Sequence, residues 1–286
     1  MKPLVINLAP TGMVPTREDT PYVPITPEEI ANDVCRCIPL GVSMVHLHAR
    51  DENGYPTYRK EVYARIIEGI RNVDSEIIIV VSTSGRNIPE YEKRSDVLGL
   101  EGDYRPDMAS LTLSSLNFAK TASTNSPAMI ESLAERMLER GILPEFEVFD
   151  LGMVNYAHYL INKKNIRPPY YFNILLGNVA TAQAKLLHLG LIMSELPTGS
   201  ICSVGGIGNS QVIANSLGIS VADGVRTGLE DNIWMNDDRA VLSTNYDLVE
   251  RVTRLAKELN RPIATPEQVR SMLKLSICRQ KLHCLK

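Results

Sequence analysis

The chain has 286 residues, 44% of them hydrophobic, and a formal net charge of −3. This is ordinary globular composition, with ample length to bury a core. The small negative charge leaves no electrostatic case for nucleic acid or an anionic membrane as partner, and no apolar run approaches the roughly 20 residues that span a bilayer.

The opening MKPLVINLAP has too short an apolar stretch for a signal peptide and reads as a first strand over residues 4–9. A helix over 27–40 follows, with Thr26 as N-cap, Pro27 at the first helical position and Glu29 completing a capping box. Cys35 and Cys37 fall inside it. Two residues apart on a helix point to different faces, so they are poor joint ligands and read as small core or boundary residues. Further strands are expected over 44–49, 76–82, 108–113, 145–150, 171–176, 200–204 and 224–229, each short and rich in Val, Ile, Leu or Phe. Helical patterns separate them. Residues 127–140 (PAMIESLAERMLER) are strongly amphipathic and stop at Gly141; residues 245–260 repeat the design, and a last helix over 266–275 follows Thr265.

Eight strand–helix units without a long linker predict an α/β fold of the (β/α)8 TIM-barrel type, a single domain over 1–286 with an extra C-terminal helix. The competitor, a doubly wound open sheet, would bring a glycine-rich phosphate turn after an early strand. The nearest candidate, Gly205-Gly206-Ile207-Gly208, follows the seventh strand and lacks the full fingerprint, so it reads as a barrel loop. Its amides and the following helix N-terminus could hold a phosphate. The five cysteines, 35, 37, 202, 278 and 284, are scattered and odd in number, which argues against a disulfide framework and for a reducing cytoplasm.

The most informative segment is VHLHARD, residues 45–51. Alternate residues of a strand share a face, so His46 and His48 point the same way from a buried strand. Two such imidazoles need a shared partner, and a divalent metal, most plausibly zinc, supplies one. Barrel enzymes carry their catalytic groups at strand C-terminal ends. There the chain places Ser82, Ser110, Thr112, the strand-five acids Glu145, Glu147 and Asp150, and Arg226, Glu230 and Asp231. Strands two and eight both flank strand one in a closed barrel, so Glu230 can approach the two histidines and complete a site with open positions. Glu145 and Glu147 share a face, and an inward acid needs a reason; Glu147 is assigned to the site. Arg226 on an apolar strand requires a carboxylate or an anionic ligand. His158, His188 and His283 read as structural or solvated.

The combination of HLHARD, PEFEVFDLGMV (144–154), SLNFA (115–119), VGGIG (204–208) and RTGLEDN (226–232) resembles the β-keto acid cleavage enzymes. The likeness runs co-linearly from TGMVPTREDTPYVPITPEEI to ATPEQVRSMLKL. It implies a zinc-dependent TIM barrel, usually a homotetramer, that condenses a β-keto acid with acetyl-CoA to give acetoacetate and a new CoA thioester. Carried over by motif, the zinc ligands fall on His46, His48 and Glu230, and the catalytic groups on Ser82, Glu147, Arg226 and Asp231. An arginine is a poor base because its pKa exceeds about 12, so proton removal goes to a carboxylate: Asp231, oriented by Arg226, with Glu147 as competitor. Ser82 is expected to hydrogen-bond the substrate.

The departures concern specificity. Members acting on amino-substituted keto acids carry an acid in the loop after strand one; here that position is Val14, which predicts no preference for a cationic substrate. The usual STGG reads Ser82-Thr83-Ser84-Gly85-Arg86, adding a hydroxyl and a cation. The usual GGH before the strand-eight arginine reads Ala222-Asp223-Gly224, the glycine turn after strand six reads Gly177-Asn178-Val179-Ala180, and the usual strand-four asparagine is Thr112. The expected substrate surface is Val14, Ser82, Ser84, Arg86, Ser110 and Thr112. Alternative readings are a zinc aldolase, lyase or hydrolase that does without CoA, and a metal-binding barrel that has lost catalysis; the presence of Arg226, Asp231 and Glu147 beside the ligands speaks against the last.

Overall fold

In the computed structural model, which describes residues 2–163 and 166–276, eight short parallel strands pair in sequence order and close on themselves. They are β1 (Val5–Leu8), β2 (Met44–Leu47), β3 (Ile78–Val81), β4 (Met108–Thr112), β5 (Leu143–Val148), β6 (Tyr171–Leu176), β7 (Ile201–Gly206) and β8 (Gly224–Thr227). Closure is made by β1 against β8, with Asn7 opposite Arg226. The crossovers are α1 (Pro27–Cys37), α2 (Lys60–Arg71), the short α3 (Tyr91–Ser95), α4 (Pro127–Arg140), α5 (Leu151–Asn162), α6 (Leu186–Ser194), α7 (Gln211–Val221) and α8 (Asn245–Glu258); α9 (Pro266–Met272) is the expected extra helix. This is the (β/α)8 barrel that the alternation predicts.

Alternation along each strand divides the hydrophobic residues into two cores. Ile6, Leu8, Val45, Leu47, Ile79, Val81, Phe146 and Phe172 point outward and pack against the helices. Val5, Met44, Ile78, Val80, Met108 and Tyr171 point inward and fill the N-terminal half of the barrel, where Val269 and Leu273 of the α9 segment close them off. The inward positions nearer the strand C-termini are polar instead, and that half holds the candidate site.

Helix ends follow the sequence signals closely. Thr26 Oγ1 accepts from Glu29 N at 3.2 Å, and Glu29 Oε2 accepts from Thr26 N at 3.0 Å. α1 is shorter than expected because Pro39 cannot donate the next i→i−4 bond; residues Ile38–Leu40 tighten into a 3-10 turn. α9 likewise stops at Met272 rather than 275. β8 ends at Thr227, two residues early, because Gly228 takes φ +144° with Ala9 O packed where a Cβ would stand. That turn folds Leu229–Asp231 back over the barrel mouth, where Glu230 N donates to Ala9 O at 3.2 Å. Cys35, Cys37 and Cys202 are free thiols; Cys278, Cys284 and His283 lie outside the described residues.

Candidate active site

The site is built in layers up the barrel axis. Deepest lies Glu145 on β5, fully buried. Its Oε1 accepts from Asn7 Nδ2 of β1 at 2.8 Å and from Asn173 Nδ2 of β6 at 3.2 Å. Its Oε2 stands 2.6 Å from His46 Nδ1. Burial alone would raise this carboxyl, but His46 and the amide donors outweigh it and hold it below the usual carboxylate range. Nδ1 of His46 is thereby committed to Glu145, and its Nε2 is left buried without a hydrogen-bond partner.

One layer up, His48 Nε2 lies 3.2 Å from Glu230 Oε1, and the two imidazole centroids are 5.3 Å apart. One ligand atom from each of His46, His48 and Glu230 falls within 4.8 Å of the others. A second such group, His46, Glu145 and Glu147, shares the His46 corner. Arg226 stands between the acids. Its Nε and Nη2 donate to Asp231 Oδ2 and Oδ1 at 2.8 and 3.0 Å, Nη2 also reaches Glu230 Oε1 at 2.8 Å, and Nη1 lies 3.6 Å from Glu147 Oε1. Burial would push Glu230 up, but the Arg226 guanidinium and then the imidazoles hold it well below its ordinary value. For Asp231 and Glu147 burial prevails and raises both carboxyls.

Three carboxyl groups lie against the Arg226 guanidinium and a fourth, Glu145, against His46, so acids outnumber the permanent cations here. With the unpartnered His46 Nε2 and an unpartnered Glu230 Oε2 facing the same point, the donor set fits a divalent cation. Two imidazoles and a carboxylate match zinc chemistry in particular.

Above the cluster opens a cavity of about 680 Å³, large enough for a small acid and part of a cofactor-sized molecule. Val14, Ser82, Ser84, Arg86 and Thr112 line it together with Glu147, Arg226, Glu230 and Asp231. Thr112 Oγ1 donates to Glu147 Oε2 at 2.6 Å, and Ser82 Oγ accepts from Ser84 N at 3.2 Å. Ser110, expected at the substrate surface, does not line the cavity: it lies deeper on β4, where its Oγ accepts from Thr83 N at 3.1 Å and its carbonyl from Thr83 Oγ1 at 2.6 Å. Asp150 is a helix cap, its Oδ1 accepting from Met153 N at the start of α5. The glycine loop after β7 has one amide already engaged, Gly208 N donating to Asp231 O at 2.7 Å.

Several residues at the site had no place in the sequence reading. Asn7 and Asn173 carried a usable signal, being polar residues at inward positions of apolar strands. Arg94 and Arg50 carried none. Arg94 of α3, 4% exposed, donates to Thr83 O at 2.8 Å and Asn125 Oδ1 at 2.7 Å. Arg50 donates to Gly12 O and Pro15 O at 2.8 and 3.0 Å, holding the loop that carries Val14. His158 sits on α5 with Nε2 2.8 Å from Glu195 O, and His188 on α6 accepts from Gln183 N at 2.9 Å; neither belongs to the cluster.

A parallel eight-stranded barrel with two histidines and a carboxylate converging at its C-terminal mouth has the architecture of a barrel enzyme with a candidate metal site. The family model for beta-keto acid cleavage enzyme matches residues 3–275, and the chain belongs to that family. It is 38% identical over 279 residues to the 3-keto-5-aminohexanoate cleavage enzyme of Fusobacterium nucleatum, covering 96% of this chain and 99% of that one. It is 33% identical over 277 residues to the 3-oxoadipate:acetyl-CoA acetyltransferase of Cupriavidus necator, covering 96% and 95%. Among solved structures, apo ObcA superposes with a TM-score of 0.78 at 22% identity, over 89% of this chain and 66% of that one, a likeness of fold.

Proposed function

We propose that this protein condenses a short β-keto acid with acetyl-CoA and releases acetoacetate and a new acyl-CoA. The observation that carries the reading is the Arg226–Asp231–Glu230 cluster beside His46 and His48 at the floor of the cavity. His46, His48 and Glu230 are the residues that would hold zinc; when bound, the ion supplies a Lewis acid for the keto and carboxylate oxygens of the substrate.

The protein groups divide the remaining work. Arg226 stays protonated and grips Asp231 through two hydrogen bonds, aiming that carboxylate at the floor of the cavity. Asp231 takes the C2 proton, and Glu147, held by Thr112, is the competing base. The C2 carbanion attacks the acetyl carbon and expels the CoA thiolate. The thiolate adds to the substrate's own keto carbon, the C2–C3 bond breaks, and C2 leaves with its carboxylate and the acetyl group as acetoacetate once the proton returns. Ser82 hydrogen-bonds the bound acid from the cavity wall. With Val14 where an acid would meet an amine, the tail beyond the keto group is uncharged or anionic. The reading includes a cytoplasmic location, from the scattered cysteines, and a homotetramer, as the family resemblance implies; no helix among the described residues is long and apolar enough to cross a membrane.

The test is acetoacetate formation from acetyl-CoA and a panel of β-keto acids with uncharged, anionic and cationic tails. Absence of product across the panel would overturn the transferase, and cleavage without acetyl-CoA would mark a zinc aldolase or hydrolase. Purified protein should carry stoichiometric zinc that His46→Ala or Glu230→Ala removes; unchanged metal content would place the ion elsewhere.

A further inference from the structure

We propose that Arg86, stacked on Phe118 at the cavity wall, receives a second carboxylate of the substrate, so that the preferred substrate is a β-keto dicarboxylate. This rests on the transferase reading above and narrows it to one substrate class.

Five arginines line the cavity or brace its loops, in different circumstances; Arg239 is exposed and its Nε donates to Asn209 Oδ1 at 3.2 Å. Arg226 lies against three carboxylates. Arg50 and Arg94 spend their donors on backbone carbonyls and the Asn125 amide. Of these, Arg86 alone has a guanidinium with no ion pair or hydrogen bond among the described residues; it stacks on the Phe118 ring, with Cζ 3.5 Å from the centroid. Phe118 is itself braced edge-on by Phe149, the centroids 5.9 Å apart at 86°. One flat face of the guanidinium is therefore pinned while its donors remain unspent, a planar fork preorganised for a carboxylate.

Its position favours the acid over the cofactor as source of that anion. Arg86 is half-buried and lines the same cavity as Glu147, Glu230 and Asp231. Burial lowers its pKa against the pull of those carboxylates. They do not neutralise it by contact, because Arg226 and His48 already hold them. The phosphates of CoA, in contrast, are separated from the thioester by the whole pantetheine arm. In the loop after β1, which also lines the cavity, Val14 is 58% exposed, and the Asp19 carboxylate engages Thr16 N and Oγ1 through Oδ2 at 2.9 and 2.8 Å.

The decisive measurement is the ratio of kcat/KM for a β-keto dicarboxylate to that for an analogue with an uncharged tail. The wild-type ratio should exceed one and fall roughly ten- to hundredfold in Arg86→Met, the range spanned by one charge-assisted hydrogen bond, with Arg86→Lys between. The change should sit in KM for the keto acid. An unchanged ratio, a wild-type preference for the uncharged or cationic tail, or a rise confined to KM for acetyl-CoA, which would place a CoA phosphate on Arg86, overturns the proposal. Calorimetric binding of the dicarboxylate without acetyl-CoA reads the subsite independently of turnover. If no substrate yields acetoacetate, the transferase reading fails, while weaker binding to Arg86→Met still supports the carboxylate subsite and equal binding overturns it.

Discussion

Glu145 and Glu147 show how two identical side chains, two residues apart on one strand, acquire different work. Both point into the barrel, and their parity is visible in the sequence. Glu145 lies at the level of Asn7 and Asn173, cut off from the cavity; Glu147, one step toward the mouth, faces it beside Thr112. The deeper acid orients His46 so that Nε2 is the free nitrogen, the usual device by which a carboxylate fixes a metal-binding imidazole. Glu145→Gln keeps the shape and removes the charge, and should weaken zinc binding about 10- to 100-fold, measured by competition with a chelator. Unchanged affinity would mean that packing alone orients the ring. The pairing itself was not legible, because His46 and Glu145 are 99 residues apart and meet only across the barrel interior.

At the scale of elements, the mouth is assembled by arginines that tie one loop to another. Arg94 projects from a five-residue helix and links the strand-three loop, at Thr83, to the strand-four loop, at Asn125. With no carboxylate against it, burial draws its pKa down to about 10, a sign of how far its charge rests on neutral acceptors. Arg94→Met should cost about 2–3 kcal/mol in urea unfolding through the acceptors left unpaired. Because Thr83 stands between Ser82 and Ser84, the same variant should raise KM for the β-keto acid severalfold; an unaltered KM would show that the loop keeps its place without the link. Arg50 does the same for the strand-one loop. Helix starts, by contrast, were readable at Thr26 and Thr265, and Ser126 and Thr244 cap the helices that follow them in the same way, since a cap is satisfied within three residues.

For the whole molecule, the barrel is sealed at one end and open at the other. Arg270 of α9 donates to Asp107 Oδ1 at 2.8 Å and to the Glu76 and Ile77 carbonyls at 2.6 and 3.2 Å, and Arg71 reaches the same Asp107 at 3.1 Å. Together with Val269 and Leu273, this pins the last helix under the apolar plug. Breaking a buried ion pair costs about 3 kcal/mol or more, so Arg270→Ala should lower the urea midpoint markedly while leaving KM for both substrates intact. A loss of substrate affinity of the same size as the loss of stability would show that the two ends are coupled.

The sequence by itself determined the barrel, several of its helix starts and the pair His46 and His48 on one strand face. Strand alternation and helix capping are set by backbone geometry over a few residues, and the co-linear motifs placed the chain in its family. It did not show which acid orients His46 or what Arg86 packs on. Glu145 and His46, Glu145 and Asn7, and Arg86 and Phe118 become neighbours only when eight strands close with a definite register. A slip of one residue would exchange every inward side chain for an outward one. Ser110 lies off the cavity for this reason: its strand and face were legible, but its depth along the axis, and hence its bonds to Thr83, are properties of the closed barrel.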